Sequence, residues 1–311
     1  MHDKTSYPQI VGIGSTVYDT LMVVDSFPVE DTKLQGIETK VQSGGPCATA
    51  LAAAQRLGIS AAYMGTIGDD PFGRYMMDDF ARFHIDTSAV RVVTGGVSFH
   101  SVVLLNRSSS TRTCIWNRGT VEPPRPEELD LNMLENAKVL HLDGHMLDAA
   151  LAAAQFARAH GVTVSYDAGG TYPGVERLMP YVDLLIPSEE FALKFTGAAT
   201  PEDAAKKLYD SYAPMLVVIT QGIRGGILLD SLGMRRYESY PVDAVDTNGC
   251  GDTFHGAFAA AKIYGLNNDN ACRYASAAAA IKCTRLGARD AMATDAECRM
   301  FLKDRGIDLP E

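Results

Sequence analysis

The sequence predicts an α/β fold: a three-layer α/β/α core around a mostly parallel central sheet, with a small β-sheet lid. Two patterns carry that prediction. From residue 139 onward, short apolar runs alternate with helical stretches rich in alanine, the order that builds a parallel sheet with helices on both faces. Earlier, two short β-like runs (21–24 and 34–41) and a hairpin pattern (97–105 and 111–116, around the polar turn 106–110) interrupt that alternation. Together they make the expected lid, about 18–42 and 96–118 of a single domain covering 1–311.

With 311 residues the chain can bury a large core, and its 46% hydrophobic and 21% charged residues are the balance of a soluble protein. The formal net charge of −10 argues against nucleic acid or an anionic membrane as partner, since both need a basic surface. An anionic substrate would depend on local positive potential, for which Arg107, Arg112 and Arg118 of the hairpin are the best sources. No apolar run approaches the ~20 residues of a membrane span. The opening MHDKTSYPQI lacks the charged-then-apolar order of a signal peptide, so a cytoplasmic location is expected. Six cysteines without a C-x-x-C suggest neither a zinc cage nor a disulfide framework.

In order along the chain, 9–14 reads as a buried strand. Its Gly12-x-Gly14 is a poor dinucleotide fingerprint, because Val17 stands where the third glycine belongs and no helix pattern follows. Ser43-Gly44-Gly45-Pro46 leads into a helix over 47–57: the glycines allow close approach to the backbone and Pro46 suits a first turn. A strand at 61–67, a turn at 68–73 and a helix at 75–83 form one α/β repeat. Strands follow at 139–143, 162–167 and 183–187, with a helix through 159 between the first two. Asp143 and Asp167 close their strands at the end where such sheets bind ligands, although a capping role accounts for them equally well. Ser188-Glu189-Glu190 opens a helix that stops at Gly197. Strands at 215–220 and 227–230 flank a glycine-rich turn, and 270–282 is a helix of small residues.

The richest stretch is Asp246-Thr-Asn-Gly-Cys-Gly-Asp252, followed by a helix with almost no charge, which must be buried. Gly249, Cys250 and Gly251 can aim successive N–H groups at one point, and a helix N-terminus favours an anion there. Asp252 in the first turn is expected to stay ionised at neutral pH and to accept a proton from an attacking hydroxyl. Cys250, at the positive end of the dipole, is expected to be a reactive thiol when the site is open; an inert buried thiol is the plain alternative.

DTNGCGDTFHGAF resembles the second signature of the PfkB (ribokinase-like) carbohydrate kinases, and the likeness runs over essentially the whole chain. The resemblance implies a ribokinase-like fold and an ATP-dependent kinase that uses Mg²⁺ and, in many relatives, K⁺. It makes Asp252 the base and Gly249, Cys250 and Gly251 the anion hole, with cysteine in place of the usual alanine. Asp19, Gly44 and Gly45 would bind sugar, joined by Thr49, which stands where relatives carry asparagine. Thr220, Gly222 and Ser276 would contact the nucleotide. Glu189 would order magnesium through water in a segment that departs from the usual Asn-x-x-Glu, and Asp246 with Gly287 would hold the monovalent cation. Thr49, Pro187-Ser188-Glu189 and Lys282-Cys283-Thr284-Arg285 look most like the sulfofructose kinase and fructokinase branch, so a ketohexose or a derivative is the first expectation. A nucleoside kinase and a weakly catalytic sugar and nucleotide sensor are the alternatives. Relatives often pair their lids, and two short apolar β runs at a sheet margin predict a homodimer through this one.

Overall fold

The computed structural model describes residues 7–109 and 111–310. Six of the MHDKTSYPQI residues, Ser110 of the predicted hairpin turn and Glu311 lie outside that range. Among the described residues the main sheet has eight strands, in spatial order Gly233–Tyr237, Gly226–Asp230, Leu216–Thr220, Leu184–Pro187, Thr163–Ala168, Val139–Leu142, Ile10–Ile13 and Ala61–Tyr63. Neighbours pair in parallel from Leu216–Thr220 to Ala61–Tyr63, and the remaining two strands are antiparallel. Successive residues feed opposite faces: Leu184 and Ile186 enter one apolar cluster, Leu185 the other. Helices Pro46–Arg56, Pro71–Arg82, Cys250–Ile263, Asn268–Cys283 and Asp295–Lys303 contribute to the first cluster. Helices Leu147–Ala159, Glu189–Thr196 and Pro201–Tyr212 cover the second, which completes three layers. No helix of the described residues is long and apolar enough to cross a membrane.

The Cys250–Ile263 helix, whose only charged residues are Asp252 in its first turn and Lys262 in its last, is central to the first of these layers. A Cβ on Gly256 would come within 2.1 Å of the Ala50 carbonyl oxygen, so glycine is what lets this helix lie directly on Pro46–Arg56. That contact brings the two glycine-rich turns, 43–46 and 246–251, to the same region of the molecule.

The segments expected to form the lid make a separate four-stranded sheet in the order Glu38–Gly44, Val17–Val24, His100–Asn106, Thr111–Asn117. Register divides its side chains between two faces. Gln42, Asp19, Ser101 and Trp116 form one cross-strand row, and Val41, Thr20, Val102 and Ile115 the adjacent one on the opposite face. Three expected elements differ. Residues 34–37 are not strand, and the pairing begins at Glu38. The run 61–67 is two strands: after Met64, whose N–H still bonds Gly12, the chain leaves the main sheet and Gly65–Gly68 pairs with Val90–Val93. The helix expected at 75–83 starts at Pro71, because Asp70 caps it by accepting the Gly73 N–H at 2.8 Å.

Candidate active site

Gly249 (φ 75°) turns the chain into the Cys250–Ile263 helix. The Cys250 N–H donates to the Thr247 carbonyl at 3.3 Å, whereas the Gly251 and Asp252 N–H groups have no carbonyl partner among the described residues. A Cβ on Gly251 would meet nothing within 4 Å. The unpartnered amides are therefore displaced by about one residue from the expected set: among the described residues Gly251 and Asp252 have no carbonyl partner and Cys250 is engaged.

Asp252 does not behave as expected. Burial pushes its carboxyl up to about 7, with the nearby Asp167 and Asp143 carboxylates adding to the effect and His255 and Arg289 opposing it. The dipole of its own helix favours the ionised form but is outweighed by burial, helped by the two carboxylates. Asp143 is fixed by four donors: the Ser15 N–H and hydroxyl at 2.8 and 2.6 Å, the Cys47 N–H at 3.1 Å and the His145 N–H at 3.0 Å. It is a staple joining strand ends and not a free ligand contact. Asp167 accepts from His255 Nε2 at 3.1 Å, and fully buried His141 is pushed down to about 4 by burial and by His255, which keeps it neutral.

Asp19 faces the same region from the lid, accepting the Ser101 hydroxyl at 2.5 Å, and burial raises its carboxyl. A Cβ on Gly44 would lie 2.1 Å from Asp19 Oδ2, and Gly45 (φ 90°) turns the backbone into its helix. Thr49 is placed otherwise than expected. It is fully buried, and its hydroxyl accepts from Arg289 Nε at 3.3 Å, so it cannot present itself to a ligand. Arg289, which the sequence reading missed, is the buried link: its guanidinium also donates to the Gly44 carbonyl at 2.7 Å and Asp79 Oδ2 at 2.5 Å. Its signal was an arginine amid the small apolar residues Gly287, Ala288, Ala291 and Met292, together with an aspartate on the apolar side of an amphipathic helix.

Thr220, Gly222 and Ser276 are brought together. They line a cavity of about 640 Å³ with Cys250, Gly251 and Phe254, largely apolar and opening beside the free amides. Glu189 does not reach the expected role: Gln221 Nε2 donates to it at 2.8 Å and Arg224 pairs with its other oxygen. No group of three His, Cys, Asp or Glu side chains among the described residues could cage a metal. The residues present would suit magnesium only as an ion carried in on the phosphates of a nucleotide. Asp246 and Gly287 do meet, with the Gly287 N–H bonding Asp246 Oδ2 at 2.9 Å.

Cys250 is also corrected. Its sulfur lies 2.6 Å from that of Cys283. The contact with Cys283, together with burial, carries the Cys250 thiol far above its ordinary range, and the same contact, helped by Lys282, brings Cys283 down to about 7. The acidic thiol is Cys283, because the contact between the sulfurs outweighs the dipole at Cys250.

A second cavity of about 240 Å³ adjoins Asp143 and is lined by Ser15, Phe99, Arg118, Thr120 and His145. Arg118 has no carboxylate partner among the described residues; it lies by the Phe99 and Trp116 rings and its Nη2 is 3.1 Å from His145 Nδ1. With Nδ1 accepting, His145 keeps Nε2–H as a donor.

Residues 8–295 match the model of the pfkB family carbohydrate kinases. The chain is 29% identical over 299 residues to the ATP-dependent ribose-1-phosphate kinase of Halopiger xanaduensis, covering 96% of this chain and 99% of that one. It is 30% identical over 322 residues to probable fructokinase-3 of Arabidopsis thaliana, covering 95% and 92%. Among solved structures, Arabidopsis thaliana ribokinase complexed with ribose and ATP superposes with a TM-score of 0.87 at 25% identity, covering 96% and 99%. The ribokinase of Thermotoga maritima gives 0.86 at 26%, covering 96% and 100%.

Proposed function

The chain belongs to the pfkB family of carbohydrate kinases, and from that premise we propose that it transfers the γ-phosphoryl group of MgATP to a hydroxyl of a ketohexose or close derivative. That it is an ATP-dependent sugar kinase follows from the family and its relatives. The reading of the site rests on one observation above the others: the Asp252 carboxylate lies where the unpartnered helix amides adjoin the cavity of about 640 Å³, in surroundings that push its pKa up to about 7.

In this mechanism Asp19 and the Gly44–Gly45 backbone orient the sugar, and Asp252 accepts the proton of the attacking hydroxyl. A base with a pKa near the working pH combines a useful ionised fraction with enough basicity. The Gly251 and Asp252 N–H groups donate to the phosphoryl oxygens where charge is greatest, while Thr220, Gly222 and Ser276 hold the nucleotide. Magnesium supplies further charge neutralisation on the phosphates. Trp116, on the lid face that carries Asp19, closes over the sugar and excludes water.

A pentose carrying a phosphate is the second reading, favoured by Arg118. This cation without a carboxylate partner, beside a His145 N–H donor, suits an anionic group at the far end of the substrate. Coupled ADP release with fructose, ribose, ribose 1-phosphate and ribose 5-phosphate tests both. Turnover of fructose well above all three pentoses supports the first reading, preference for a phosphopentose supports the second, and no ADP from any small sugar or sugar phosphate overturns the assignment.

The lid's outer row supports a homodimer. Val102 and Ile115 are directly paired across two strands yet 40% and 62% exposed, with Val41 in the same row.

A further inference from the structure

Lys282 lies in the last turn of the Asn268–Cys283 helix and is 0% exposed. A buried ammonium is stable only where oxygens replace its water. Here Nζ donates to the Asp246 carbonyl at 2.7 Å and lies 3.6 Å from Asp246 Oδ2. The Asp246 carboxylate receives, in addition, the Asn248 N–H at 2.8 Å and the Gly287 N–H at 2.9 Å. The Val245 and Asp246 N–H groups both donate to the Cys283 carbonyl, at 2.7 and 3.1 Å. One lysine thus joins the segment that enters the phosphate-binding turn to the 283–287 loop.

This is the location at which resemblance to the family implied a monovalent cation on Asp246 and the Gly287 turn, and the residues present do not fit one. A free potassium ion needs several oxygens around a shared point. Here the carbonyl of Asp246 is occupied by an ammonium on a tether, one carboxylate oxygen faces that ammonium and the Gly287 N–H, and the other accepts the Asn248 N–H. We infer that Lys282 is a built-in replacement for the monovalent cation, so this kinase works without potassium. Lys282 is a positioning residue. It holds Asn248, Gly249 and the free amides after them in place, and it cancels the Asp246 charge that would otherwise oppose negative charge building on the phosphoryl group. Alanine or methionine at 282 would leave the Asp246 oxygens facing a hole that a free cation can enter.

The inference rests on the sugar kinase reading for its catalytic consequence, but its thermal readout does not. The full chain, dialysed free of alkali metals and ammonium, is compared in choline chloride and in potassium chloride of equal ionic strength. The wild type should show the same kcat in both, within about twofold, and the same Tm. Lys282→Met should lose at least roughly tenfold in kcat in choline, recover most of it in potassium or ammonium chloride, and gain Tm with potassium over choline. Potassium activation of the wild type, wild-type turnover of Lys282→Met in choline, or a loss that neither cation restores in kcat or Tm would each overturn the inference. Should Lys282→Met not fold, Lys282→Arg, which keeps a tethered cation, carries the comparison and must remain potassium-insensitive. If the sugar kinase reading itself fails, the two Tm responses still decide the role of Lys282.

Discussion

Replacing Asp252 by asparagine keeps the side-chain volume and removes its charge and basicity, so the same surroundings predict two effects of opposite value to the protein. Burial and Asp167 hold the carboxyl at about 7, against an ordinary 3.8. A folded-state value raised in this way means that the folded protein binds the extra proton between those limits and loses stability as pH rises through them. At about 1.4 kcal/mol for each tenfold change in proton affinity, the displacement corresponds to at most about 4 kcal/mol above neutrality. The carboxyl is partly open to cleft water, which reduces this to about 2 kcal/mol. Asp252→Asn should therefore be more stable than wild type by about 2 kcal/mol at pH 8, and by less than about 1 kcal/mol at pH 4.5, where the native carboxyl is already neutral. The same substitution should lower kcat by about 10²–10⁴, the general-base contribution. In the wild type, kcat/KM for the sugar should rise with pH through about 7. Urea unfolding at the two pH values and coupled ADP release at saturating substrate measure these quantities. A kcat loss under roughly tenfold refutes the base; an equal stability difference at both pH values refutes the electrostatic account.

Three further outcomes are expected. Iodoacetamide should modify Cys283 ahead of Cys250, with MgATP protecting because both line the cavity proposed for the nucleotide; peptide mass spectrometry showing Cys250 labelled first, or no protection, contradicts the thiol assignment. Trp116 is the sole tryptophan and is 59% exposed on the cleft face of the lid, so saturating sugar with a non-hydrolysable ATP analogue should shift its emission to the blue; an unchanged spectrum counts against lid closure over the sugar. Ile115→Asp should convert a dimer to a monomer in sedimentation velocity at micromolar protein, and a wild type that is monomeric there removes the lid interface.

Local patterns were sufficient for the architecture. The alternation of apolar runs and alanine-rich helices after residue 139 marked the parallel sheet, because strand and helix periods are written in each segment's own residues. The glycine-rich turn before a nearly uncharged helix marked a helix N-terminus with unpartnered amides for the same reason: it depends on a few consecutive residues. Where local rules had to choose between neighbours they failed in small ways, as at Met64, where a continuous apolar run divides between two sheets because only the partner strands, 10–13 and 90–93, decide the break.

The chemistry of the site was decided by tertiary structure. Apart from the local Cys250 N–H bond to Thr247, the corrections at the site concern a charge or a hydrogen bond whose partner is remote in sequence. Asp252 rises because folding buries it and, secondarily, because the sheet brings Asp167 and Asp143 near it. Thr49 turns from ligand to support because Arg289, 240 positions away, needs an acceptor. Glu189 is taken by Arg224, Cys250 by Cys283, and Asp246 by Lys282. A sequence states which groups can ionise or bond, but the strength of each interaction depends on distance and on how much water remains between the groups, and both are set only when the chain closes on itself.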